Sequence, residues 1–201
     1  PEHRCGQCDL HSLLQETVAA MQDIEVDRPA AKQGNFCGQY GGGATMLRTI
    51  MAVQRIDLTE AQCEDVMSTR KTLYTGYEAG VTRLIEAAHR DGYTETVEGR
   101  RRYEVDLESP DWKTRSHAER ALANHRIQGT AADILKRAML NVVPALTFYG
   151  ARIVAQVHDE IVFTVPEANA DNFLLVATQA MEALPLPNGL ALKVEGGYGA
   201  S

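Results

Sequence analysis

Four side chains of this 201-residue chain, Arg28, Lys32, Phe36 and Tyr40, stand four residues apart three times over. On a helix of 3.6 residues per turn a step of four drifts by only about 40°, so they form one slanting stripe. A core-facing stripe would be aliphatic, and a solvated one would mix charge signs. This one carries two cations and then two rings. Two cations suit a triphosphate, and two rings suit a sugar and a base. Many nucleotide binders would satisfy that description.

A second group lies near the other end of the chain. Ala151–Val157 is an apolar run, His158, Asp159 and Glu160 follow, and Ile161–Val165 is apolar again. Strand, turn, strand reads as a β-hairpin with two carboxylates at its tip. Asp-Gly there would be ordinary turn chemistry, whereas Asp-Glu beside His is not. Adjacent carboxylates on rigid strands suit a divalent cation with oxygen ligands. A third group is Arg120, Asn124 and Gln128, again at steps of four, on a helix expected over 116–140. Such a row can hydrogen-bond base edges and sugars in a minor groove without reading much sequence. Standing alone, the row reads more readily as a polar, solvated helix face. Arg100, Arg101 and Arg102 beside a turn either face solvent or hold a backbone phosphate. His3, Cys5, Cys8 and His11 have zinc-ligand chemistry, but they crowd into nine residues with no second element to close around them; free thiols are the simpler reading.

The elements that must position these groups follow from the pattern. Asp9 to Ser12 open a helix. Asp27 caps the helix of the stripe, with Pro29 in its first turn, where proline is tolerated. Gly34 and Gly38 inside that helix imply close backbone packing or a bend. Gly41–Gly43 end it and would serve as a hinge. A short amphipathic helix is predicted over 44–56, then one long helix or two to His89, broken near Thr75-Gly76. Tyr93 to Val97 alternates like a strand, and Glu98-Gly99 turns. Strands over 151–157 and 161–165, a helix over 169–184 and a final strand over 190–194 complete the chain.

Net charge is −7, yet the segment from Arg100 to Arg137 carries nine Lys/Arg against six Asp/Glu. A basic excess concentrated in one segment leaves room for a phosphate-binding surface on an acidic chain. Four cysteines in this length are no disulfide framework, which points to a reducing compartment. No apolar run approaches the roughly 20 residues of a membrane span, and no signal peptide precedes the first motif. The chain starts at Pro1 and not at Met, so a piece of something longer is expected.

Taken together, these stretches resemble family A DNA polymerases, the DNA polymerase I group. RPAAKQGNFCGQYG is similar to the nucleotide-binding fingers helix, with its Arg-x3-Lys-x3-Phe-x3-Tyr-Gly pattern. AERALANHRIQGTAADILKRAM resembles the palm helix that contacts primer–template. VAQVHDEIVF resembles the catalytic palm hairpin. GYTETVEGRRRY and the Asp9-Leu10-His11 opening match further family stretches, in the same order, over Asp9 to Gly199.

The resemblance implies an α+β fold: a helical fingers subdomain over 1–92 and part of an antiparallel-sheet palm over 93–201, with its long packing helix and catalytic β-hairpin. It implies that Arg28, Lys32 and His11 bind the incoming triphosphate, Phe36 packs near its sugar, and Tyr40 lines the nascent base-pair site. Lys32 becomes the proton donor to the leaving pyrophosphate. Arg120, Asn124 and Gln128 track the duplex, and His158 lies near the primer end. Asp159 is one of two metal-binding aspartates, with Glu160 accessory, in a two-Mg²⁺ nucleotidyl transfer from a dNTP to a primer 3′-hydroxyl. The partners implied are primer–template DNA, dNTP and the rest of a parent polymerase, in the cytoplasm of a bacterium or a phage-infected host, in replication or repair.

Departures accompany the likeness. Cys37 stands where the family usually has Gly. Arg126 stands where it usually has Pro, and could add a phosphate contact. Three glycines after Tyr40 are closer to phage-type members. The segment carrying the family's first catalytic aspartate, the thumb and any exonuclease domain have no counterpart here, so the isolated chain is expected to be inactive. A subunit of a split polymerase and a non-catalytic nucleic-acid-binding module are the alternatives. Intact Arg28, Lys32, Tyr40 and Asp159 speak against the last.

Overall fold

The structure, a computed structural model, describes residues 9–199. His3, Cys5 and Cys8 of the zinc reading lie outside the described residues. The fold is α+β, mostly helical with two small antiparallel sheets. Two compact units divide the chain between Ile127 and Gln128.

The first unit begins with α1 (Leu10–Gln22) and α2 (Arg28–Gln39). Asp27 caps α2 as its sequence requires, its carboxylate accepting from the Ala30 amide at 2.8 Å. After α3 (Ala44–Val53), α4 (Glu60–Leu73) starts on a capping box between Thr59 and Gln62. Thr59→Ala should therefore lower stability by about 1 kcal/mol, read as a lower denaturation midpoint with an unchanged slope. The expected break before α5 (Thr75–Asp91) falls at Tyr74, and Gly92 ends α5 at φ +80°. Leu14, Val18, Leu47, Met51 and Cys63 are fully buried and form the centre of the α1–α4 core. Gly34 packs as anticipated: a Cβ there would lie 2.8 Å from Val66 Cγ1 of α4.

The glycine run behind α2 is a defined stop. Gly41 adopts φ +73° and donates to the Gly38 carbonyl at 3.1 Å, while Gly42 donates to the Cys37 carbonyl at 2.8 Å. That pair of bonds is a Schellman motif, which satisfies carbonyls the helix would otherwise leave open. Gly42 also makes room for Cys37, whose Sγ a Cβ at position 42 would meet at 2.5 Å. The cysteine that replaces the family's usual glycine is thus accommodated by a second glycine.

Strands β1 (Tyr93–Glu95) and β2 (Arg101–Tyr103) form a short hairpin, followed by α6 (Trp112–Asn124). In this hairpin Arg101 bonds Glu95 at 2.7 Å and Arg102 bonds Glu104 at 3.2 Å. A single helix was expected from 116 onward. Instead His125–Gly129 is one π-helical turn. Side chains around that turn engage the hairpin: His125 Nε2 lies 3.3 Å from the Arg100 carbonyl, and Arg126 Nη1 donates to the Glu95 carbonyl at 2.7 Å and to that of Thr96 at 3.3 Å. Arg126, the second departure from the family pattern, therefore holds a hairpin backbone. The π-turn also interrupts the step-of-four row between Asn124 and Gln128.

The second unit contains α7 (Thr130–Tyr149), β3 (Arg152–Val157), β4 (Glu160–Thr164) and α8 (Ala170–Glu182). Its core joins Val142 and Ala145 of α7 to Phe173 and Ala177 of α8, with Phe163 and Val165 packed against them. The hairpin is antiparallel with a register shift between Ile153 and Ala155. Its turn is His158-Asp159 alone, because Glu160 already pairs with Val157. The strand expected over 190–194 is not formed. No described strand pairs with it, and the Val194 amide donates to Glu182 Oε1 at 3.0 Å instead.

Candidate functional site

In the first unit the stripe of α2 meets the N-terminal turn of α1. Asp9, the α1 cap, accepts from the His11 amide and from the Ser12 hydroxyl at 2.8 Å. It also accepts from Arg28 Nε at 2.5 Å. The Arg28 guanidinium, then Ser12, hold the Asp9 carboxyl well below the usual carboxylate range, and Arg28 is correspondingly raised. Lys32 Nζ stands 5.7 Å from the centroid of Phe36, and His11 stacks obliquely on the same ring at 5.7 Å. Asn35 donates to the Leu10 carbonyl and approaches His11 Nδ1, both at 3.1 Å. Burial pushes the His11 pKa below its ordinary value; Arg28 and Lys32 add to this and Asp9 opposes it. The structure thus gathers His11, Arg28, Lys32 and Phe36 into one cluster, with two cationic side chains beside an aromatic ring. Asn35, which the step-of-four pattern skips, is a member that sequence reasoning missed.

Tyr40 caps the C-terminal end of α2 and is 44% exposed. Beside it, the aliphatic part of Arg120 fills the space that a Gly41 Cβ would take. Arg120 is fixed further by its bond to Ser116 Oγ at 2.6 Å. Asn124 Oδ1, one turn on, is sealed from water and finds no hydrogen-bond partner among the described residues. Beneath this end of α2 lies Arg70 of α4, 4% exposed, its Nη1 on Glu78 Oε1 at 2.6 Å and its guanidinium 5.0 Å from the Tyr77 ring. Tyr77 donates its hydroxyl to the Gln39 carbonyl at 3.2 Å. No sequence signal marked Arg70 as anything but part of an amphipathic helix.

In the second unit His158, Asp159 and Glu160 are all exposed. His158 sits at φ +54°, a left-handed conformation uncommon for a residue with a side chain. Gln156 Nε2 donates to the His158 carbonyl at 2.6 Å and braces the turn. Asp159 and Glu160 offer the hard oxygen donors a small divalent cation prefers. Among the described residues, however, no three His, Cys, Asp or Glu side chains are grouped so as to hold a metal ion. The donor type fits such an ion, but the described residues do not complete a site for it.

The model of DNA polymerase family A matches residues 4–201. The chain belongs to DNA polymerase family A. It is 38% identical over 194 residues to DNA polymerase I, thermostable, of Thermus aquaticus, an alignment covering 95% of this chain and 23% of that protein. Against DNA polymerase I of Mycobacterium tuberculosis the identity is 34% over 199 residues, 96% of this chain and 21% of the relative. The chain therefore spans about a quarter of the length of the curated relatives it matches. Among solved structures, the POL domain of Pol1 from M. smegmatis, in complex with DNA primer-template and dNTP, superposes with a TM-score of 0.75 at 34% identity. That match covers 89% of this chain and 32% of the other. Family A polymerases are generally metal-dependent, and these relatives are bacterial. No described helix of this family member is long and apolar enough to cross a membrane.

Proposed function

We propose that this chain is the nucleotide-delivering and duplex-holding part of a template-directed DNA polymerase, which transfers a nucleotidyl group from a dNTP to a primer 3′-hydroxyl. The observation that carries it is the α2 cluster: Arg28, Lys32, Phe36 and His11 brought together as a triphosphate and a sugar require. Membership of the family and the likeness to a polymerase domain in complex with DNA primer-template and dNTP support the reading. On it, residues 1–92 are fingers and 93–201 are part of a palm.

Each residue then has a task. Arg28 and His11 donate to phosphate oxygens. Lys32 does so too, and passes its proton to the leaving pyrophosphate. Phe36 packs on the sugar, and Tyr40 borders the new base pair. Arg120, Asn124 and Gln128 follow the duplex, and His158 stands by the primer end. Asp159 contributes to a Mg²⁺ site with Glu160 accessory; the remaining ligand comes from a part of the polymerase outside these 201 residues. Bound Mg²⁺ would activate the 3′-hydroxyl and neutralise charge on the pyrophosphate.

Primer extension tests this. The parent polymerase should extend a primed template, and Lys32→Ala should lower its kcat on the order of a hundredfold or more, the usual worth of a positioned proton donor. The isolated chain with Mg²⁺ and dNTP should give no extension. Robust extension by the isolated chain would sink the claim that a ligand is supplied from elsewhere, and a silent Lys32→Ala would remove the proton-donor role.

A further inference from the structure

We infer that Asn35 fixes His11 as the neutral imidazole protonated on Nε2, so that His11 offers the incoming nucleotide one directed N–H rather than a third positive charge. The role toward nucleotide rests on the proposed function; the protonation pattern itself stands on geometry alone.

The Leu10 oxygen can only accept, and it lies 3.1 Å from the Asn35 side-chain amide. The amide atom facing it must therefore be the nitrogen, which removes the usual ambiguity between the two ends of an asparagine side chain. That same nitrogen lies 3.1 Å from His11 Nδ1. An NH₂ group has two hydrogens and no free lone pair to accept with. One hydrogen goes to Leu10 and the other to the ring, so Nδ1 must accept and carries no proton. A neutral imidazole then holds its proton on Nε2. A doubly protonated ring would set N–H against N–H and break the contact.

The surroundings favour the same state. Arg28 and Lys32 of α2 both disfavour a further cation, Asp9 favours one, and burial disfavours charge most of all. Tyr74, at the break between α4 and α5, donates its hydroxyl to the same Leu10 carbonyl at 2.9 Å. Asp9 is already engaged by Arg28 and Ser12, and it meets His11 through the backbone amide and not through the ring. The division of labour is chemical: two cations supply charge, and His11 supplies direction. Asn35 is a positioning residue, acting on the nucleotide only through His11.

Long-range ¹H–¹⁵N spectra of the ¹⁵N-histidine-labelled 201-residue chain read this directly. His11 is identified by its loss in His11→Gln. Expected are a pyridine-like Nδ1 and a protonated Nε2 at pH 7–8, with a titration midpoint below that of a free histidine. Asn35→Asp replaces the donor by an acceptor and an anion. It should move the proton toward Nδ1 and raise the midpoint by about one pH unit or more. Asn35→Ala should leave a mixture of both tautomers, and the backbone amide spectrum checks that either variant is folded. A wild-type ring protonated on Nδ1, or a midpoint and tautomer unmoved by both substitutions in folded protein, would overturn the inference. Adding dATP should perturb the Nε2 resonance. If the tautomer is as stated and dATP has no effect, the nucleotide role of His11 fails while the role of Asn35 in its protonation stands.

Discussion

On the proposed function, Asp159→Ala in the parent polymerase lowers kcat for primer extension by roughly a thousandfold or more, the worth of several kcal/mol of charge stabilisation by a bound metal. Binding of primer–template should change little, because the Asp159 carboxylate sits at an exposed turn and the substitution leaves Arg120, Asn124, Gln128 and His158 intact. Thermal stability should also hold. Asp159 is an exposed turn residue whose side chain has no hydrogen bond to a described residue, so alanine leaves no buried partner stranded. Glu160→Ala should be much milder, since Glu160 is the first residue of β4 and faces solvent beside the turn. Measured together, extension rate, duplex affinity and melting midpoint separate a catalytic loss from a folding defect. Extension retained within a few-fold in Asp159→Ala would remove the metal role.

Gly38→Ala should destabilise the first unit by about 2 kcal/mol, against the usual expectation that alanine improves a helix by about 1 kcal/mol over glycine. The new Cβ would fall inside the Arg70 guanidinium. Arg70 is the far end of a flexible side chain, but at 4% exposure it has nowhere wet to go. Moving it breaks the 2.6 Å bond to Glu78 and the stacking on Tyr77. Disrupting a fully buried ion pair costs about 3–5 kcal/mol; Glu78 is 38% exposed, so the lower part of that range applies and the helix gain offsets some of it. The thermal midpoint should fall by about 4–8 °C for a 201-residue chain. In the background of Arg70→Ala the same substitution should lose most of its cost, because the clashing group is gone. Equal costs in both backgrounds would show that Arg70 is not the obstacle.

How far the sequence foretold this arrangement differs from group to group. The stripe on α2 was legible because it is periodic and local: cap, proline, step of four and glycine stop all lie within sixteen residues and agree. The β3–β4 hairpin was legible for the same reason, although its turn proved one residue shorter than the His158-Asp159-Glu160 tip. The ion pair of Arg28 with Asp9 and the contact of Asn35 with His11 span 19 and 24 residues, and no local pattern encodes them. The π-turn after Asn124 was hidden because its cause lies in β1 and β2, whose carbonyls draw in the His125 and Arg126 side chains. Residues 190–194 show the converse: an apolar alternating run becomes a strand only when another strand pairs with it, and pairing is not a property of the run. Arg70 illustrates a third limit. An arginine in an amphipathic helix is normally solvated, and only the missing side chain of Gly38 lets this one lie buried against α2.

The stop behind α2 bears on which positions evolution can alter. Gly41 and Gly42 are both committed, one to a left-handed backbone and one to the space beside Cys37. Gly43 has neither duty: its φ of −106° suits any residue, and a Cβ there would touch nothing within 4 Å. Of three identical letters, two are therefore constraints and one is a passenger. Substitutions should accumulate at the third while the first two stay fixed, since a Cβ at position 42 would meet Cys37 and Met46. A reactive tag intended to follow the end of α2 belongs on position 43, where it reports on the helix without disturbing the bonds that close it.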